Sequence, residues 1–140
     1  MNFKMWLENN TSYGYRAVPE QMFDQIKSQG LIPDWDMSRD PQEYFDLFGG
    51  EDDFHYENAQ NLVLFFASDE DSAKSYGDLL FRFPWPHDAN KVSISSEYFT
   101  TSTKVNPQQI EVETSNYEWV PILQAGFVQG RHTNKEVAKI

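Results

Sequence analysis

Cysteine is absent from this 140-residue chain, which removes disulfides, thiolate metal ligation and a cysteine nucleophile together and fits a reducing compartment. Long apolar runs are also missing, and nothing approaches the ~20 consecutive apolar residues of a membrane span. The first ten residues scatter Phe3, Met5, Trp6 and Leu7 among polar neighbours, unlike the basic start and apolar run of a secretory leader. A cytoplasmic protein without membrane association is expected. Positive charge is scarce, with 11 Lys and Arg against 22 Asp and Glu for a net charge of −11. Such a surface repels the phosphate backbone, so direct nucleic-acid binding is not expected. The common catalytic signatures are absent: no G-x-G-x-x-G after a strand, no P-loop, no H-E-x-x-H and no G-x-S-x-G. His55, His87 and His132 stand far apart in sequence, and no metal site is expected from them.

The chain has the length of one domain, 1–140, and aromatic residues make up 16% of it, so a few large side chains can build a core although only 39% of residues are hydrophobic. Charge is unevenly spread. From Asp34 to Glu57 nine carboxylates face the single Arg39, whereas Lys91 to Ile140 holds five acids and five bases. The plain reading of the acidic stretch is a solvated loop and helix face. The sharper one is a nucleic-acid mimic that docks on a basic protein partner.

Hydrophobic spacing predicts an N-terminal amphipathic segment over residues 1–10, then a strand from Tyr13 to Val18. Pro19 opens a helix that buries Met22, Phe23 and Ile26 and stops at Gly30. Asp40, Pro41 and Glu43 begin a second helix that ends at Gly49-Gly50, and Glu51 to Asn61 reads as a loop. Leu62 to Ala67 is a continuous apolar run, the pattern of a strand buried on both faces. Ser68 then caps a short helix rich in acid in its first turn, which Gly77 closes. Leu79 to Phe83 is a strand stopped by Pro84 and Pro86. Four further strands are expected at Val92 to Ile94, Tyr98 to Val105, Ile110 to Thr114 and Tyr117 to Ile122. Phe127 ends the last strand, and residues 130–140 form a frayed tail.

One ordered set of short patterns remains: Tyr15-Arg16-Ala17-Val18, then Gly30-Leu31-Ile32-Pro33, then Leu64-Phe65-Phe66-Ala67-Ser68-Asp69, then Tyr76-Gly77. Val105-Asn106-Pro107-Gln108-Gln109-Ile110-Glu111 and Trp119-Val120-Pro121 complete it. The succession resembles small members of the ADP-ribosyltransferase superfamily over about Tyr13 to Pro121. The resemblance implies an α+β fold of split antiparallel β-sheets with flanking helices that clasp NAD as substrate. It implies phosphate binding by Arg16, Ser68 near the nicotinamide ribose, aromatic closure by Phe66 or Tyr76, and a catalytic carboxylate at Glu111 or Glu113. Such a carboxylate stabilises the oxocarbenium character that develops when the nicotinamide bond breaks.

Each of these residues also has an ordinary structural use. Arg16 can be a salt-bridge partner, Phe66 core, Ser68 a cap, Tyr76 a helix anchor, and Glu111 and Glu113 a solvated face. The expected function is NAD-dependent mono-ADP-ribosyl transfer to an unidentified acceptor. Two alternatives stand beside it: a non-enzymatic acidic inhibitor acting through Asp34 to Glu57, and a degenerate transferase fold without activity. Ala67-Ser68-Asp69 stands where one branch of the superfamily has Ser-Thr-Ser, and Phe65 and Phe66 where the other has Tyr, which favours the second.

Overall fold

Strand β1 (Tyr13–Val18) is the pivot of the architecture, and Pro19, fixed at φ −60, ends it. A 3-10 turn (Glu20–Met22) leads into helix α1 (Phe23–Gln29), which buries Phe23 and Ile26. Gly30 terminates α1 at φ 83, and a side chain there would collide with the Val105 carbonyl, so glycine is required on both counts. The computed structural model describes residues 12–36, 62–92, 97–130 and 135–140. The expected N-terminal segment, the helix opened by Asp40, the loop Glu51 to Asn61 and the acidic stretch beyond Asp36 lie outside the described residues.

After β2 (Trp35–Asp36) the chain continues through β3 (Leu62–Ala67), helix α2 (Glu70–Lys74), β4 (Leu79–Pro84), β5 (Asn90–Lys91) and β6 (Tyr98–Thr101). Then follow β7 (Glu111–Glu113), β8 (Trp119–Pro121), β9 (Ala125–Gln129) and β10 (Lys135–Lys139), with 3-10 turns at Pro107–Gln109 and Ile122–Gln124. The main sheet runs β5-β6-β3-β1-β4-β7-β8, with β2 also on β3, and β9 and β10 form a separate ribbon. Every pairing among the described strands is antiparallel. The chain is therefore of the α+β class, its sheet and its few short helices separate rather than alternating in parallel units. Among the described residues no helix is long and apolar enough to cross a membrane.

Register sorts the side chains onto two faces, because residues directly opposite in a ladder share a face and neighbours along a strand do not. Val18, Phe81, Phe83, Leu64, Phe66, Val112 and Val120 build the large core, together with Phe23 and Ile26 of α1 and Ile122, Ala125 and Val137 beyond the main sheet. Phe81 and Phe83 are completely buried. Removing either ring would cost about 3–5 kcal/mol. The opposite face carries a smaller core of Ala17, Ala67 and Leu80, against which α2 packs Ala73. Small residues at these positions let so short a helix lie close to the sheet.

Several expectations are corrected. Asp69, not Ser68, caps α2, its carboxylate taking the Ser72 backbone N–H at 2.8 Å and the Ser72 hydroxyl at 2.9 Å. Ser68 instead extends the ladder between β3 and β6, its N–H donating to the Glu97 carbonyl at 2.8 Å. Helix α2 ends at Lys74, and Gly77 serves instead to let the chain pass against the Val18 backbone. Strand β6 stops at Thr101, where Asp88 accepts from the Thr101 hydroxyl and from the Ser102 N–H, and Val105 pairs with Leu31 in an isolated bridge. Residues 130–140 are not simply a frayed tail, since Lys135–Lys139 is β10, in register with Gln129 to Ala125 and burying Val137. Leu62 is half exposed, so β3 is buried on both faces only beyond its first residue.

Candidate functional site

Arg16 sits where the sheet parts. Strands β1 and β3 pair only at Tyr15↔Ala67, and beyond that point the Arg16 Nη1 donates to the Phe65 carbonyl at 2.7 Å. A side chain thus stands in for the ladder. Burial lowers the Arg16 pKa, and the Asp34 carboxylate opposes that shift.

The two carboxylates expected to act with Arg16 lie elsewhere. Arg16 is opposite Phe81, and Phe81 is opposite Val112, so Arg16 belongs to the large-core face. Tyr15, Arg82 and Glu111 form the parallel row on the α2 face. Glu113, two residues along β7, shares that second face and stands opposite Trp119. Glu111 is also occupied: its Oε1 accepts from the Arg82 Nε at 2.9 Å. The Arg82 guanidinium is stacked between the rings of Tyr13 and Trp119, at 4.3 and 4.4 Å from their centroids. Burial first, then the negative charge of Glu70, raises the pKa of neighbouring Tyr15, with Arg82 acting against both.

The expected aromatic residues divide between interior and surface. Phe66 is 3% exposed and packs against Phe83, Trp85 and Phe99 at centroid distances of 5.6, 5.2 and 5.8 Å. Its ring is a core element. Tyr76 is 64% exposed and meets Tyr98 edge to face at 5.8 Å. Tyr98 in turn donates its hydroxyl to the Ser72 carbonyl at 3.1 Å. A hydrogen bond with Tyr76, followed by burial and nearby negative charge that includes Glu97, pushes the Tyr98 pKa up to about 12.

The register thus separates Arg16 from Glu111 and Glu113 by the thickness of the sheet. Two residues not singled out from sequence stand beside the expected ones: Arg82, bonded to Glu111 between its two rings, and Glu97, whose carbonyl takes the Ser68 N–H. Arg82 had a legible signal, as the lone charge in the run Leu79–Pro84. Glu97 had none beyond its position one residue before a strand.

A second feature is a cleft of about 420 Å³ at the end of the sheet, where α2 leads through Gly77 into β4 and β7 turns back into β8. Lys74, Asp78, Glu113, Thr114, Tyr117 and Val137 contribute to its wall. Tyr117 was expected in a strand. It instead lies in the hairpin turn with φ 63 and is 81% exposed. The buried Thr114 fixes that turn: its hydroxyl accepts from the N–H groups of Asn116 and Glu118, and its carbonyl accepts from the Tyr117 N–H at 2.9 Å. Among the described residues no three His, Asp or Glu side chains gather closely enough to hold a metal ion. Comparison of the chain with family models, curated proteins and solved structures finds no match.

Proposed function

We propose that the chain is an NAD-dependent mono-ADP-ribosyltransferase-like domain whose nucleotide is held along β1 and β3, with split antiparallel sheets parting at that seam. The observation that carries this reading is the Arg16 guanidinium held at the parting of the two strands. A guanidinium has five N–H donors, and among the described residues only the Phe65 carbonyl takes one of them, on Nη1, so donors remain for a pyrophosphate. Ser68, exposed at the far end of β3, would take a ribose hydroxyl under this reading. Phe66 does not fit a stacking role, being enclosed by other rings.

The acidic role moves under this reading from β7 to Glu97. Glu111 and Glu113 lie on the face of the sheet away from Arg16, whereas Glu97 adjoins Ser68 through the backbone bond between them. A carboxylate accepting a ribose hydroxyl there would oppose positive charge that grows on the sugar as nicotinamide leaves.

Melting curves and nicotinamide release, both followed against NAD concentration, test the proposal. NAD should raise the melting temperature progressively. Glu97→Gln should leave NAD affinity within about three-fold while lowering release by roughly a hundred-fold or more. Glu111→Gln should alter neither. No thermal shift and no released nicotinamide at millimolar NAD would end the transferase reading, and loss of release in Glu111→Gln alone would put the chemistry on the opposite face.

A further inference from the structure

The cleft beside the β7–β8 turn combines three features that the nucleotide reading does not use. Its wall includes two carboxylates, Asp78 and Glu113, and neither makes an ion pair or hydrogen bond among the described residues. Glu113 is partly buried, so its charge has lost some water without gaining a partner. The cation in the wall, Lys74, reaches instead toward Asp71, with its Nζ 3.9 Å from the Asp71 carboxylate. The rim carries the Tyr117 phenol, mostly solvent-exposed although the ring is large.

Carboxylates beside an aromatic face suit a planar cation, which can form charge-assisted bonds in its plane and stack through its flat surface. The chain already contains this arrangement on the same face of β7. There Glu111 binds the Arg82 guanidinium between Tyr13 and Trp119. Two residues further on, Glu113 repeats the carboxylate with Tyr117 as the ring, and among the described residues no guanidinium supplies the third part. A volume of about 420 Å³ is far more than a bare ion needs, and the carboxylates do not gather as a metal site would require.

We propose that this cleft binds an arginine side chain presented by a basic partner polypeptide, with Asp78 and Glu113 accepting from the guanidinium and Tyr117 stacking on it. The proposal is independent of NAD binding and of the acidic segment beyond Asp36. The net charge of −11 adds long-range attraction for such a partner.

The test is a heteronuclear NMR titration of the intact chain with the peptide acetyl-Gly-Arg-Gly-amide, at ~0.15 M salt so that diffuse charge attraction is screened. Saturable shifts should appear at the amides of residues 114–118 and at Asp78. The citrulline peptide, neutral and of the same shape, should bind at least about ten-fold more weakly, as should arginine peptide to the Asp78→Asn/Glu113→Gln variant. Tyr117→Gly should also weaken binding, by roughly three-fold or more. Glycine suits the backbone at φ 63, so this variant should fold at least as well as the parent and its loss would not reflect unfolding. Absence of saturable shifts at 114–118, equal binding of the citrulline or lysine peptide, or undiminished affinity in both variants would each overturn the proposal.

Discussion

A methyl group added at Gly77 would meet backbone on every near side. An ideal Cβ there falls well inside 3.0 Å of the Val18 N, C and O atoms. Val18 cannot give way, because it is 1% exposed and lies in a strand paired along its whole length with β4. Overpacking usually costs about 1–3 kcal/mol, and contact with backbone rather than a rotatable side chain belongs at the upper end. The smaller entropy of the unfolded alanine chain recovers part of that, ~0.5–1 kcal/mol. A net loss of about 2–2.5 kcal/mol lowers the melting temperature by roughly 6–10 °C in a domain of this size. Gly126→Ala is the matched control, since its Cβ would meet the side chain of Ile140, 68% exposed and free to rotate, starting at 3.0 Å. Circular-dichroism melts should show that control within about 1 kcal/mol of the parent. A Gly77→Ala melt within ~2 °C of the parent, or a drop equal to that of Gly126→Ala, would refute the argument that β1 is rigid at this crossing.

Other perturbations probe the polar contacts. A double-mutant cycle on Arg82→Met and Glu111→Gln should give a coupling of about 1 kcal/mol, because the pair is 20% and 31% exposed and held by two rings rather than free at the surface; no measurable coupling in urea melts would contradict this. Burial alone would raise the Asp88 pKa, but hydrogen bonds from Thr101, Ser102 and Thr103 outweigh it and hold the carboxyl below its ordinary value. The stability it contributes is therefore present above the unfolded value of ~3.9 and lost as pH falls through the lower folded one, so the gap between parent and Asp88→Asn should close on acidification in urea titrations. The Tyr98 phenol, raised to about 12, works in the opposite direction. Its contribution is present below the unfolded value of ~10 and lost as pH rises through the folded one, and Tyr76→Phe should shift its phenolate absorbance to lower pH.

The elements that were legible in the sequence share a physical cause. Tyr13–Val18, Leu62–Ala67 and Leu79–Pro84 are continuous or nearly continuous apolar runs between polar or proline boundaries, and Pro19 and Gly30 bracket the first helix by backbone geometry alone. Strand β10 lacks such a cause. Lys135–Lys139 offers just one buried side chain, Val137, and its order comes from pairing with β9. Ser68 and Asp69 are equally good caps as residue types, and the long-range bond from the Ser68 N–H to the Glu97 carbonyl, which keeps Ser68 in line with β3, is not written in the local sequence. The site suffered most from register. Shifting a pairing by one residue exchanges the faces of a strand, so Arg16 and Glu111 could look like partners in sequence while the ladder puts Tyr15, not Arg16, in the same row as Glu111, with Arg82 between them. Tyr117 misled for a related reason, since its strand preference yields to a turn fixed by the Thr114 hydroxyl.

The bond between Arg16 and Phe65 gives the main sheet an unusual mechanics. On one side of the seam lie β5, β6 and β3, on the other β1, β4, β7 and β8. A continuous sheet carries load across such a line through many interchangeable amides, whereas this one concentrates it in a single backbone pairing and one guanidinium. Little main chain therefore ties the two halves together, and the contact of Phe66 with Phe83 through the core, at 5.6 Å between ring centroids, joins them by side chains instead.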